Sequence, residues 1–431
     1  MNSATQPLQS TLAALEAGPV RPADEADEVM GVIPRVEIEP ETEEHVAAIL
    51  RFADERGLAV LPRGGGTHLT MGNAPRSGDI LLSMAWLNQI LEHTPHDQTV
   101  TVQAGVRLDD LQAALARTSQ WLALDPPHAL DATIGGLIAT NVSGPRRLRY
   151  GGVRDQLIGL RVVLPDGTIA RGGGKVVKNV AGYDLPKLYC GALGTLGIVV
   201  AASFRLYPLA VESRTVVIEE ASPDPLCDLI LRILASQLVP SALDVLGATE
   251  SPTHTLAVRF ESGVAASVEE QVTAALEMAG GDAAGVRTLA DEDEAVFWRD
   301  AQTLAVVADP DAIECEVKAS LLPAEVAGWL DELVAGATSA RANASWAAHA
   351  GHGLVMARLA GSLDALAQAI PPLREAAQRR RGTLVVTEAL PALAARVDVW
   401  GPVSAPDVMR RLKQQFDPHG ILNPGRFASG I

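Results

Sequence analysis

At 431 residues the chain is too long for one small core, so two or three domains are expected. Hydrophobic residues make up 48% and charged residues 20%, proportions of a globular chain that argue against disorder. With 35 basic against 52 acidic residues the net charge is −17, which argues against an even phosphate-binding surface for DNA or RNA, and no nucleic-acid partner is expected.

Cys190, Cys227 and Cys315 lie far apart with no CxxC pair, so neither a zinc site nor an iron–sulfur cluster is expected, and no metal site is assigned. The same sparse, odd set fits a reducing compartment. Met1 to Gly18 has no basic region followed by an apolar core, as a secretory signal would. The longest uncharged stretch, Leu188 to Phe204, is broken by Gly191, Gly194 and Gly197 and reads as buried loop and strand, not as a membrane span. A cytoplasmic protein is expected.

In chain order, residues 1–27 carry scattered charge and prolines and read as an extension that frames the domain loosely. Val36-Glu37-Ile38 alternates like a short strand. Thr42 is placed to cap a helix whose Val46, Ile49, Leu50 and Ala53 fall on one face, and Gly57 suits the left-handed position past its end. Leu58 to Leu61 is a compact strand, completing a strand–helix–strand unit that favours parallel pairing. Ile80-Leu81-Leu82 and Thr99 to Val102 predict strands, and Leu108 opens a helix with Asp109 and Asp110 in its first turn. Residues 125–153 read as loop. Leu160 to Ala170 predicts a hairpin turning at Asp166-Gly167, and Ile198 to Phe204 predicts a strand. From Pro208 the glycine clusters thin out. Helices are expected over Leu226–Leu234, Val264–Met278 and Pro323–Val334, with strands at Val216–Ile218, Leu256–Val258 and Leu354–Met356. That mixture predicts a separate α+β domain.

Four glycine-rich elements carry the chemistry. In Arg63-Gly64-Gly65-Gly66-Thr67-His68, consecutive glycines let backbone amides converge on an anion; the alternative is a bare tight turn. The run matches neither GxGxxG nor GxxxxGK[ST]. The second element runs from Pro126-Pro127 to Thr133-Ile134-Gly135-Gly136 and on through Ala139, Asn141, Ser143 and Gly144. It offers small residues for backbone to lie flat against a ring or diphosphate, or a glycine-rich helix start packed on a neighbour. The third places Arg146, Arg147, Arg149 and Arg154 around Tyr150-Gly151-Gly152, fitting an anionic ligand, a solvated loop or a docking surface. The fourth runs from Lys178-Asn179 to Gly194-Thr195-Leu196-Gly197-Ile198-Val199. Here Lys175 and Lys178 either bring positive charge to a bound anionic group or are surface charges.

Together these elements, with the tail Phe416-Asp417-Pro418-His419-Gly420-Ile421-Leu422-Asn423-Pro424-Gly425-Arg426-Phe427, resemble the PCMH-type FAD-binding fold of the vanillyl-alcohol oxidase class. The resemblance covers about residues 28–210 and the tail. Within the class, K-N-V-A-G-Y-D-L and G-A-L-G-T-L-G are most similar to the FAD-binding E subunits of bacterial glycolate oxidases. It implies an α+β fold: an N-terminal extension over 1–27, a two-lobed PCMH-type FAD-binding domain over 28–209, an α+β cap domain with an antiparallel sheet over 210–400, and a C-terminal segment over 401–431 returning to the FAD domain.

The resemblance also implies roles. The backbone of Arg63, Gly64, Gly65, Gly66 and Thr67, with His68 beside it, would hold the FAD pyrophosphate. Pro126, Thr133, Gly135, Gly136, Ala139, Asn141, Gly144 and Gly151 would line flavin and diphosphate. Gly197, Ile198 and Val199 would meet the adenine end, and Asn423 would return toward the flavin. Relatives with covalent flavin carry histidine directly after the loop's glycines; here Thr67 stands there, so non-covalent FAD is implied. Catalytic subunits for 2-hydroxy acids in the class carry a run like H-A-G-D-G-N-x-H, against His349-Ala350-Gly351-His352-Gly353-Leu354-Val355-Met356 here. The G-E-H-G segment is represented by Thr387-Glu388-Ala389-Leu390, without its histidine. His349 and His352 are therefore candidates for catalysis, or structural residues at a strand start. The implied function is an FAD subunit of a complex oxidising glycolate to glyoxylate, or another 2-hydroxy acid, with a second flavin subunit and an iron–sulfur subunit as partners that carry electrons away and any membrane association. A stand-alone alcohol or hydroxy acid oxidoreductase and a non-catalytic FAD scaffold are the alternatives.

Overall fold

The computed structural model describes residues 5–174, 183–280, 285–306 and 311–431. They divide into two compact units. Met1–Val142, Gly152–Tyr207 and Pro402–Ile431 make the first, and Ser143–Gly151 with Pro208–Gly401 the second. Among the described residues no helix is long and apolar enough to cross a membrane.

Among the described residues the first unit is built on two main sheets. One takes β1 (Val20–Pro22), β2 (Val36–Ile38), β3 (Val60–Arg63) and β4 (Ile80–Ser83) in the order β1-β2-β4-β3. Between β2 and β3 runs the helix Glu43–Arg56. Thr42 Oγ1 accepts from the His45 amide at 3.1 Å, and Gly57 closes the helix at φ 62. The strands of this unit are not neighbours as expected, because β4 lies between them, parallel to both. All four residues of β4 are buried, so the wholly apolar Ile80-Leu81-Leu82 occupies the centre. Leu8 and Leu12, in the helix Thr5–Ala13, share the core with Ile38, Ile49 and Leu50. The N-terminal segment is thus packed in rather than loosely attached.

The other sheet is antiparallel: β5 (Ile90–Thr94), β6 (Thr99–Gln103), β7 (Leu157–Val163), β8 (Ile169–Gly173) and β9 (Ile198–Arg205), ordered β5-β6-β9-β7-β8. The expected hairpin is β7–β8. It turns where Gly167 takes φ 80 and Asp166 Oδ1 accepts from the Thr168 amide at 2.9 Å. Residues 125–153, expected as loop, contain the helices Ile134–Thr140 and Arg147–Tyr150. Thr133 Oγ1 caps the first of these by accepting from the Gly136 amide, and Asn141 ends it in the left-handed region at φ 54.

The second unit is an eight-stranded antiparallel sheet covered by helices. Its strands are β10 (Glu212–Glu220), β11 (Ala242–Ala248), β12 (His254–Ser262), β13 (Val286–Leu289), β14 (Ile313–Ser320), β15 (Asn343–His349), β16 (Leu354–Gly361) and β17 (Thr383–Ala389). Their order is β13-β10-β12-β11-β15-β16-β14-β17. Val245, Val258, Val317, Trp346 and Ala357 pack under the helices Pro223–Leu234, Val326–Ala340 and Leu363–Arg379. Alternate residues therefore emerge on the opposite face.

Candidate functional site

In the first unit, β3 delivers the chain into a cleft. Its wall is built by Arg63 to His68, Thr133, Gly135, Gly136 and Ala139, then Gly197, Ile198 and Val199, with Asn423 and Arg426 from the tail. Most of the expected cofactor residues thus meet in one place, although they are spread over more than 350 positions.

The glycines here answer to packing. A Cβ on Gly64 would collide with Thr133 Oγ1, and one on Gly65 with the carbonyl oxygen of Asp131. Gly66 takes φ 78, and a Cβ on Gly135 would sit 2.9 Å from that of Ala104. The loop is thereby pressed against residues 131–133. Among the described residues nothing accepts from the amides of Gly64, Gly65, Gly66 and Thr67. A row of unengaged donors at a cleft, in a loop whose glycines suit its close packing and positive φ, fits an anionic diphosphate.

The Arg63 side chain does other work. Its guanidinium binds Asp27 Oδ1 at 2.8 Å and also Glu37, and both carboxylates are shared with Arg21. Asp27 is held down to about 2: burial alone would raise it, and the hydrogen bonds from Arg21 and Arg63 outweigh that. Arg63 thus anchors the loop's first residue by its side chain while the backbone beyond turns to the cleft. His68 bonds Thr67 Oγ1 through Nδ1 at 2.9 Å. Burial, then the neighbouring His128, pushes its pKa down to about 4, so it stands neutral at physiological pH. Asn423 Nδ2 donates to the Leu193 carbonyl at 2.6 Å and its amide to Val60 at 2.9 Å, tying the tail to two walls of the cleft.

Several expected residues lie elsewhere. Pro126 is buried outside the cleft lining, and Asn141 caps its helix, its Oδ1 accepting from Cys190 Sγ at 3.4 Å. Gly144 and Gly151 belong to the second unit. Lys175 and Lys178 fall outside the described residues. Sequence reasoning missed Tyr189, Met84 and Arg426 among the cleft residues. Arg426 is buried, and burial lowers its pKa to about 10. Its Nη2 donates to the carbonyls of Leu69 and Met71, each at 2.8 Å. The arginine of the tail signature was the available clue.

The arginine cluster of the third element is mostly structural. Arg146 grips Glu261 bidentately, with Nε at 3.1 Å and Nη2 at 2.6 Å, while Arg149 donates to the Glu261 carbonyl at 2.5 Å. Burial pushes the Glu261 carboxyl up, but Arg146 and Arg259 overcome it and hold it near 2. A carboxyl depressed from 4.5 to about 2 stabilises the fold above its unfolded value, and that stability is lost as pH falls through the folded one. Wild type is accordingly expected to lose on the order of 3 kcal/mol more than Glu261→Gln between about pH 5 and pH 2. Urea unfolding across that range checks it, and parallel curves for the two proteins would refute it.

On the face of the second unit's sheet opposite the helices Pro223–Leu234, Val326–Ala340 and Leu363–Arg379, His349 Nδ1 meets Asp244 Oδ2 at 2.9 Å, both residues being buried. The His352 ring stacks on it, centroids 5.7 Å apart and planes 8° off parallel. Burial, then His349 and Arg147, drive His352 down to about 3, so it is neutral at physiological pH. Among the described residues no group of three or more His, Cys, Asp or Glu is arranged to hold a metal ion.

Comparison with known proteins agrees with this architecture. Residues 34–173 match the FAD binding domain family, and residues 401–427 match the C-terminal domain of FAD linked oxidases. The chain is 31% identical to glycolate oxidase subunit GlcD of Bacillus subtilis, over 91% of this chain and 89% of that one. It is 30% identical to D-2-hydroxyglutarate dehydrogenase of Xanthomonas citri pv. viticola, over 90% and 88% respectively. A D-lactate dehydrogenase of Archaeoglobus fulgidus is 36% identical over 49% of this chain and 47% of its own. The solved structure of an alkyldihydroxyacetonephosphate synthase shares the fold, with a TM-score of 0.69 at 17% identity over 91% of this chain and 76% of that one. With its glycine-walled cleft and these relatives along nearly its whole length, the chain belongs to the FAD-linked oxidase family, as an oxidoreductase of CH–OH donors whose cofactor is FAD.

Proposed function

We propose that the chain is the FAD-carrying subunit of a 2-hydroxy acid oxidoreductase of the glycolate oxidase kind. The observation that carries the reading is the row of unengaged amides, Gly64 to Thr67, facing the cleft. These amides would take the pyrophosphate, Gly135, Gly136 and Ala139 would let the flavin lie close to the backbone, and Asn423 would hold the wall beside it. Thr67 offers no imidazole where covalent relatives have one, so the attachment is non-covalent. FAD held there would supply the two-electron oxidation of the C–OH carbon. The chain's own part is to orient the acid, exclude water and keep a proton acceptor ready.

Within the second unit, the His349–Asp244 pair is of the kind that serves as a proton acceptor. Its carboxylate fixes the tautomer by accepting from Nδ1. This pair favours a second reading, in which the chain oxidises substrate unaided. The replaced histidines at 356 and 389 favour the first, with a second flavin subunit and an iron–sulfur subunit receiving the electrons. Sparse cysteines support a cytosolic setting.

Anaerobic addition of glycolate or D-lactate separates the readings. Bleaching of the flavin only when partner subunits are present is the expected result. Bleaching of the isolated chain selects the stand-alone reading, and a colourless chain that takes up no FAD ends both.

A further inference from the structure

A diphosphate brings two negative charges into the first unit's cleft, and the walls answer them unevenly. Among the described residues no aspartate or glutamate lines the cleft, and its formal cations are Arg63 and Arg426. Arg63 is already matched: with Arg21 it shares Asp27 and Glu37, two guanidinium groups against two carboxylates. Arg426 brings one charge from the tail. The second negative charge meets no equivalent partner while every side chain keeps its ordinary protonation state.

His68 is the third group of this wall able to carry positive charge. It follows Thr67 directly, at the end of the row of amides, and lines the same cleft. Its Nδ1 is joined to Thr67 Oγ1 at 2.9 Å, while among the described residues nothing meets Nε2. The His128 ring stands edge-on with its centroid 6.2 Å away. No carboxylate helps the imidazole to charge. Asp131, whose carbonyl lies against Gly65, has its side chain on Arg107, and Asp27 and Glu37 are engaged behind Arg63. The other titratable group of the cleft is Tyr189. With these neighbours alone, burial and His128 keep His68 neutral. An anion in contact reverses that balance, because it favours the charged form that burial had penalised.

Protonation also adds donors. A neutral imidazole donates from one nitrogen and accepts at the other, whereas an imidazolium donates from both. Charged His68 therefore donates from Nδ1 to Thr67 Oγ1, which releases the Thr67 hydroxyl hydrogen for an acceptor in the cleft. Nε2 carries the second N–H. Hydrogen bonds from a charged donor are about twice as strong as neutral ones.

We propose that His68 takes up one proton as FAD binds, and that its imidazolium, with the Thr67 hydroxyl it redirects, holds the diphosphate. This proton presupposes the diphosphate at the Gly64–Thr67 amides, as proposed above. Cofactor affinity is then coupled to pH. It falls by up to about tenfold per pH unit from about 4, the value of His68 without the anion, up to its raised value in the loaded chain, and is flat above that.

The test titrates FAD into the full-length chain stripped of flavin, followed by fluorescence and calorimetry between about pH 5 and pH 8, where FAD itself takes up no proton. Arg426 and Tyr189 titrate outside this range, at about 10 and about 12. For wild type, Kd should rise about tenfold or more from pH 5 to pH 7.5. Calorimetry at about pH 5 in buffers of different ionisation heat should register the uptake of close to one proton. His68→Gln, which keeps a neutral donor, should bind with one Kd across the range, about tenfold or more weaker than wild type at pH 5 and within about threefold of it at pH 8. A merely structural loss would weaken binding equally at every pH. His128→Gln should keep the slope. A wild-type Kd that does not change with pH, or no proton uptake at the acid end, overturns the proposal even where His68→Gln fails to fold. So does a slope that survives in His68→Gln, or one that vanishes in His128→Gln instead. Wild type that takes up no FAD at any pH removes the diphosphate reading and this proton together, whereas FAD uptake independent of pH removes the proton alone.

Discussion

Gly65→Val is expected to yield a folded protein that no longer retains FAD. A Cβ at this position would collide with the Asp131 carbonyl, and a β-branched side chain adds a second obstruction at the same place. The loop must then lift from residues 131–133, and the amides of Gly64 to Thr67 lose their common direction. Hydrogen bonds to a charged group contribute about 1.5–3 kcal/mol each, so misaligning two or more of them weakens binding by at least roughly a hundredfold. The core is not involved, because Gly65 lies exposed at the end of β3. Circular dichroism and the melting temperature of the FAD-free form should match wild type, while flavin absorbance per mole of protein after gel filtration falls to near zero. Full flavin content in a folded Gly65→Val protein would remove the loop from the pyrophosphate assignment.

Asp417→Ala is expected to destabilise the first unit by about 3–5 kcal/mol. Lys413 Nζ donates to Asp417 Oδ2 at 2.6 Å and to the carbonyls of Thr195 and Leu422, each at 2.8 Å. Asp417 in turn accepts from the amides of Ile421 and Leu422 at 3.0 and 2.8 Å and is only 1% exposed. Removing the carboxylate leaves a buried cation without a counterion and two amides without acceptors. The consequence reaches the cleft, since Leu422 bridges to Val60 and Asn423 holds Leu193. Urea unfolding should show the loss, with FAD content falling alongside it. Adding Lys413→Met should recover part of the stability, because the uncompensated charge goes with it. A loss below about 1 kcal/mol for Asp417→Ala alone would show that the ion pair does not hold the tail.

These two variants touch residues of different legibility. The glycine loop could be read directly, because GGG after an apolar strand carries no Cβ and opens positive φ to the backbone, and the motifs that followed in order raised its specificity. Local chemistry likewise announced the helix capped by Thr42 and ended by Gly57, and the Asp166-Gly167 turn. Each of these signals lies within a few residues of the feature it controls. The Lys413 pair was different: its spacing suits one helical turn, but nothing in it names the carbonyl of Thr195, 218 positions away.

The same distinction divides the rest. Sequence alone determined the strand–helix–strand entry to the cleft and an α+β second half, since periodicity, caps and glycine runs are local properties of the chain, while the order of its motifs carried the family resemblance that implied the cofactor class. Tertiary structure decided that β4 separates β2 from β3 and that Arg146 pairs with Glu261. It also carried the helix Leu363–Arg379 through Pro371 and Pro372, where local rules favour a break, by burying Leu366, Ile370 and Leu373 on the sheet. Those outcomes depend on which strands pair and in what register. Burial free energy summed over the whole sheet sets that pairing, and no short window of sequence contains it.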